Sequence, residues 1–183
     1  MPLSITQLLT LGIAALLVFW MVGAYNRLVA LRNAIGQAWV KVDEALRQRG
    51  AAGEPLLAAL REPLAAEQGA LDALAGALGE SVRAATAMSA RPVEQANANA
   101  WLAAEAALAP AAARVLALFE HDIELRGRTE IATPAAAWRD AQTKLGFSRQ
   151  LFNEAAAAYN EAVTLFPTRL LAPMFRFGLA GRL

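Results

Sequence analysis

Residues 138–166 read WRDAQTKLGFSRQLFNEAAAAYNEAVTLF. Five large side chains, Trp138, Leu145, Phe152, Tyr159 and Phe166, recur at every seventh position. Ala141, Ser148, Ala155 and Ala162 form a companion row of small residues three or four positions away. Seven residues are nearly two turns of α-helix, so both rows fall on one stripe. Large residues facing small ones let helices approach closely and interlock. Ala156 lies off both rows and is expected to face solvent.

The same spacing extends upstream. A first helix, ending near Arg49, carries the seam Leu28, Leu31, Ile35, Ala38, Val42, Ala45 and Leu46. A second, from about Pro55 to Met88, carries Leu57, Leu64, Leu71 and Leu78, with Leu60 and Leu74 alongside. A third, from about Pro92 to Arg126, carries Trp101, Leu108 and Val115, with Ala104, Ala111, Leu118 and Leu125. The fourth runs from about Pro134 to Phe166. Breaks are expected at Gly50–Pro55, Ser89–Pro92, Gly127–Pro134 and Pro167, and kinks at Pro63 and Pro110 inside helices. β-branched residues are sparse and no period-two alternation is sustained, which argues against strands. The expected fold is all-α: long helices folded back as an antiparallel bundle, with a dimeric coiled coil as the competing arrangement.

Upstream of these helices the sequence is apolar. No charged side chain precedes Arg27, and Leu8–Ala24 reads LLTLGIAALLVFWMVGA. About 20 helical residues cross a hydrocarbon core of roughly 30 Å. Trp20 and Tyr25 fall where aromatic rings favour the headgroup zone. A cleaved signal peptide needs a basic n-region and a small-x-small site, and neither is evident. Residues 1–26 are therefore read as an uncleaved transmembrane anchor whose helix continues to about residue 49. Arg27, Arg32 and Lys41 follow the span, so the remainder is expected in the cytoplasm.

Composition removes several classes of function. Cysteine is absent, which excludes disulfides, thiolate metal sites and Cys nucleophiles. There is one histidine, so a multi-His zinc site is excluded. Net charge is +1 and charged residues are 18%, unlike a nucleic-acid-binding chain. No Gly-rich phosphate loop or Ser/His/Asp arrangement stands out. No cofactor and no enzymatic activity are expected.

Two blocks carry a family pattern. The first is Tyr25-Asn26-Arg27-Leu28-Val29-Ala30-Leu31-Arg32-Asn33, then Ala38-Trp39, Val42-Asp43, Leu46 and Arg49. The second is Ser148-Arg149, Phe152-Asn153, Tyr159-Asn160, Phe166-Pro167, Leu170-Leu171-Ala172 and Phe175-Arg176-Phe177. Together they resemble the LemA family. Ala66, Phe152, Arg169 and Arg176 stand where that family usually has His, Tyr, Asn and Gly. The resemblance implies a single-pass membrane protein with an all-helical domain, and it brings no catalytic residues.

The polar candidates have mostly structural readings. Glu120, His121 and Asp122 are neighbours that point apart on a helix and cannot converge on one ion. Glu67 and Asp122 fall on seam positions, where buried acids either find a basic partner or serve acid–base chemistry. Asn26 and Asn33, and Asn153 and Asn160, are pairs seven apart beside the seams. They suit register-fixing hydrogen bonds or a recognition groove.

The bundle proper is expected over residues 27–166, followed by a tail over 167–183. Arg169, Phe175, Arg176, Phe177 and Arg182 in the tail suit a bilayer interface, with packing over the bundle end as the alternative. The expected function is a scaffold or adaptor for an envelope protein partner, in a bacterial inner (cytoplasmic) membrane. Membrane organisation through the tail and self-association, including a homo-oligomer, is the other reading.

Overall fold

The computed structural model describes residues 4–183, and among them there are helices and turns but no strand. Helix α1 spans Ile5–Leu60, α2 Gln68–Ala90, α3 Gln95–His121, α4 Ile123–Gly127, α5 Thr129–Thr164 and α6 Thr168–Leu171. The fold is an all-α antiparallel bundle of long helices, with α1 extending far beyond it at the N-terminal end. Helix α1 packs along α5 and also against α2, and α2 packs against α3.

The N-terminal part of α1 stands apart from the bundle. A capping box starts the helix, with Ser4 Oγ accepting from the Gln7 N–H and the Gln7 side chain accepting from the Ser4 N–H. From there to Phe19 every residue is exposed, including Leu8, Leu9, Ile13, Leu16 and Phe19. Near its N-terminus helix α1 is long and apolar enough to cross a membrane. Helix α3 is also long and apolar enough to do so. Its Trp101, Leu108 and Val115 are nevertheless buried in the bundle.

The expected break at Gly50–Pro55 does not occur, because α1 runs through it to Leu60. Two glycines and an internal proline disfavour a helix by roughly 5 kcal/mol together. Stopping there would strip Leu56 and Leu60 from the core, where burial stabilises by about 1.5–3 kcal/mol each. Gly53 supplies a further reason. A Cβ on it would lie 2.9 Å from the Trp138 ring and 3.2 Å from Leu78, so the missing side chain is the seat of the indole. The chain turns instead at residues 61–67, and Pro63 lies in that turn rather than inside a helix. The second helix therefore begins at Gln68, not near Pro55. Likewise α5 begins at Thr129 and carries Pro134 internally. Residues 25–60 of α1 thus match the 36 residues of α5, each about 54 Å long at 1.5 Å per residue.

Seven-residue rows fill the core. Leu28, Ile35, Val42, Arg49 and Leu56 of α1 are all buried, as are Trp138, Leu145, Phe152 and Tyr159 of α5. Phe166 is not: it follows the end of α5 and is 69% exposed. Ala156, expected at the surface, is 0% exposed. Helix α5 lies between α1 and the tail, so a wider face than the sevenfold row is covered.

The apolar core has two parts. One joins Leu28 to Leu46 of α1 with Ala85, Met88, Trp101, Leu145, Phe152 and Tyr159. The other joins Ala52, Leu56 and Leu60 with Leu71, Leu74, Leu108, Val115 and Trp138. All four long helices pass from one part to the other at the same level.

Candidate functional site

That level is a polar layer centred on Arg49, which is 2% exposed. Its two terminal nitrogens donate to the two carboxylate oxygens of Glu105 on α3, each at 2.7 Å. Nη1 also donates to Gln142 Oε1 of α5 at 3.0 Å, and Nη2 to Ser81 Oγ of α2 at 2.9 Å. Ser81 Oγ in turn donates to Glu105 Oε1 at 2.5 Å. The Arg49 guanidinium lies 5.7 Å from the Trp138 ring centre, and Arg149 lies 5.3 Å from that of Trp101. Burial pushes the Glu105 carboxyl upward. Hydrogen bonding and charge from Arg49, the Ser81 hydroxyl and the Arg149 charge together hold it below the ordinary glutamate value. The carboxylate stays ionised and fully engaged, so this layer fixes helix register and holds no proton to exchange near neutrality.

Glu105 lies on none of the rows of large residues in the sequence. It lies seven from Ala98 and from Ala112, both buried, so one more row on α3 would have found it. The acids Glu67 and Asp122, expected on seams, lie elsewhere. Glu67 pairs with Arg114 at 3.0 Å near the surface. Asp122 caps α4 by accepting from the Glu124 and Leu125 N–H groups, and His121 is exposed at the end of α3. Among the described residues no three His, Asp or Glu side chains gather as a metal site.

Helices α3 and α5 are not closely packed on each other, and above the polar layer Arg139 of α5 reaches across to Glu120 and the Phe119 ring of α3. A groove of about 630 Å3 lies between them, floored by Leu108, Trp138 and Glu105 and edged by Ala109, Ala113 and Arg139.

At the opposite end the tail folds back. Asn160 Oδ1 accepts from the Ala180 N–H at 2.7 Å while its Nδ2 donates to the Ala180 carbonyl at 3.0 Å. Asn153 does the same to Leu183, at 2.6 and 2.5 Å. Seven residues along a helix advance about 10.5 Å, and three residues of extended chain span about 10 Å. That match lets one asparagine pair read two main-chain amides of a strand-like tail running antiparallel to α5. The Gly181 N–H adds a bond to the Val93 carbonyl. A Cβ at Gly181 would sit 2.5 Å from Ala98 Cβ, so only glycine fits against α3 there. Asn153 and Asn160 thus hold the chain's own tail rather than pairing helix with helix. Asn26 and Asn33 lie exposed on α1.

The tail candidates divide. Phe177 is 7% exposed and belongs to the core, which corrects its assignment to a bilayer interface. Arg169, Phe175, Arg176 and Arg182 are exposed, and so is Trp20. Tyr25 stacks edge-on against Phe175 at 5.1 Å and near Phe177 at 5.7 Å, which places this bend at the end of the apolar segment. Leu165, Phe166, Leu170 and Met174 are exposed around the bend. Of the remaining candidates, Leu28, Trp39, Phe152 and Tyr159 are buried and Leu31 and Pro167 half-buried. The Trp39 indole N–H donates to Ser89 Oγ at 2.9 Å. Asp43 pairs with Arg47 at 2.5 Å, and Arg149 is half-buried against Trp101. Burial pushes the Tyr159 phenol up, while the Arg32 charge acts the other way.

No curated protein and no solved structure matches the chain. The model of the LemA family matches residues 38–181. That range takes in Trp39, Asp43, all four members of the polar layer and both clamp asparagines, while Tyr25–Asn33 precedes it. The match covers most of the sequence, and the chain belongs to the LemA family.

Proposed function

We propose that the chain is a non-enzymatic scaffold of a bacterial inner membrane, anchored once by its N-terminal apolar segment, with the bundle in the cytoplasm. Arg27, Arg32 and Lys41 just after the apolar run support this orientation. The observation that carries the scaffold reading is the open seam between α3 and α5. Helices with small contact residues pack at interaxial distances of about 8–10 Å. The alanines edging the groove allow that approach, and Leu108 and Trp138 give it an apolar floor. The occupant is an apolar helix of an envelope partner, and Arg49 with Glu105 holds the groove floor at a fixed register.

A photo-crosslinking residue at Ala113, on the groove edge, should capture one stoichiometric protein in native membranes. The same residue at Thr86, exposed on α2, should not. Capture from both positions alike, or from neither, would overturn the reading.

A second reading is membrane organisation through the bend after α5. The exposure of Leu165, Phe166, Leu170 and Met174 level with Tyr25 favours it. Replacing Phe166, Leu170 and Met174 by Ser should then abolish clustering of vesicles carrying the reconstituted chain. Unchanged clustering would overturn it.

A further inference from the structure

A cleft of about 750 Å3 opens at the end of the bundle nearest the apolar segment. Three arginines from three separate parts of the chain line it: Arg32 of α1, Arg91 of the α2–α3 turn and Arg176 of the tail. One acid, Glu94, shares the cleft and pairs with Arg91 at 3.3 Å. Arg32 and Arg176 make no ion pair among the described residues, so positive charge there is unbalanced. Tyr159 also lines the cleft. Its ring is 1% exposed, and its hydroxyl makes no hydrogen bond among the described residues. The first turn of α3, which has no side-chain cap, opens at the same place.

Position sets the identity of the ligand. Arg32 lies eight residues past Ala24, about 12 Å along the helix. Arg176 follows Phe175, which stacks on Tyr25. A headgroup layer is roughly 5–8 Å deep on each side of the hydrocarbon core, and an arginine side chain reaches across the remaining distance. Arg176 has a second property. Its φ is +57°, the left-handed region that glycine adopts freely and a side chain disfavours. The turn it makes sends the tail back toward Asn160. Glycine would make that turn with less strain, so the guanidinium is what the strained residue contributes.

We propose that this cleft binds the phosphate-bearing headgroup of an anionic phospholipid, with Arg32 and Arg176 on the phosphate and the Tyr159 hydroxyl donating to the headgroup. A bound lipid would then tie tail, α1 and α3 to the bilayer at one point. The proposal rests on the reading of the N-terminal segment as a membrane anchor.

The test uses the full chain in uncharged micelles, with an environment-sensitive dye on a single cysteine replacing Leu179, which lines the cleft. Titrants are dihexanoyl phosphatidylglycerol, dihexanoyl phosphatidylcholine and inorganic phosphate. Phosphatidylglycerol should give a saturable response, with the other two at least tenfold weaker. Arg176→Gly should weaken phosphatidylglycerol at least tenfold without lowering the melting temperature, and Arg32→Gln should act in the same direction. Arg182→Gln, outside the cleft, should change nothing. Equal binding of phosphatidylcholine, or equal binding of inorganic phosphate, would overturn the assignment to an anionic lipid. Undiminished binding by Arg176→Gly would overturn the site. A chain that fractionates with membranes yet gives no response to phosphatidylglycerol refutes the cleft and leaves the anchor standing.

Discussion

On the side of Arg49 nearer the N-terminal apolar segment the core is aromatic and closed by an added layer, whereas on the far side it is mainly aliphatic and grooved along one seam. In the near half Trp39 lies edge-on to both Trp101 and Phe152, with ring centres 6.1 Å apart in each pair. The tail covers that half through Phe177, Ala180 and Leu183. In the far half Leu56, Leu60, Leu71, Leu74, Leu108 and Val115 surround Trp138 and Phe119, and the groove between α3 and α5 is bridged by the surface pair of Arg139 with Glu120 rather than filled by an apolar layer. The near half is completed by the chain's own tail, and in the proposed arrangement it is the half that faces the membrane. The far half leaves an apolar groove, which is the proposed seat of a partner helix.

The polar layer couples the halves, so breaking it has the largest expected effect. Glu105→Ala leaves the Arg49 charge buried without its partner and should destabilise the whole bundle by about 3–5 kcal/mol. Both halves should lose protection from hydrogen exchange together. The sign of the pH dependence follows from the depressed Glu105 carboxyl. Its stabilising contribution is complete above the ordinary value of 4.5 and is lost as pH falls below that value through the folded pKa. Chemical denaturation across pH should show this acid loss in the wild type and a flatter limb in Glu105→Gln.

The next largest effects separate the halves. Tyr159→Ala removes a ring from the near core and should cost about 3 kcal/mol. Ala156→Gln forces a long amide into a site without space and should cost about 1–3 kcal/mol. Gly53→Ala strikes the far half alone. Its Cβ meets the Trp138 ring at 2.9 Å, and a loss of about 1–3 kcal/mol is expected by thermal unfolding. Hydrogen exchange should report the Gly53 variant at Leu108 and Val115 before Trp101 and Phe152.

What the sequence made legible in this comparison is the sevenfold rows of α1 and α5, whereas the expected row Leu57, Leu64, Leu71 and Leu78 is divided among α1, the turn and α2, and only Leu71 of it is buried. Trp138, Leu145, Phe152 and Tyr159 are buried as their spacing implies, and so are Leu28, Ile35 and Val42. The helix ends were harder, because Gly50, Gly53 and Pro55 are breakers by local preference. Trp138 fills the space above Gly53, and a contact between residues that distant has no local signature. Glu105 hid for a related reason. It sits among alanines, Ala98 and Ala112, which are too small to mark a buried row. The clamp was invisible because Asn153 and Asn160 beside a seam suggest helix pairing, whereas their partners are main-chain amides of residues 180 and 183. In the tail, aromatic content gave no way to divide Phe175 from Phe177, since the turn at Arg176 separates them.

The smallest expected effect is local. Asn160→Ala removes two hydrogen bonds that hold the tail, worth about 1 kcal/mol each. Exchange at Ala180 and Leu183 should accelerate while the far half is unaffected. Slower loss at the tail than at Leu108 would mean that the two halves do not differ as described.

The bundle is proposed to stand on a bilayer, near half down, on the cytoplasmic side. The chain lacks cysteine, so single cysteines at Arg128, at the far end, and Leu170, in the exposed bend, give clean probes. A membrane-impermeant maleimide should leave Arg128→Cys unlabelled in intact cells and label it rapidly in inverted vesicles. Leu170→Cys should react slowly in both until detergent is added. Labelling of Arg128→Cys from outside intact cells, or equally fast labelling of both positions in inverted vesicles, would contradict this arrangement.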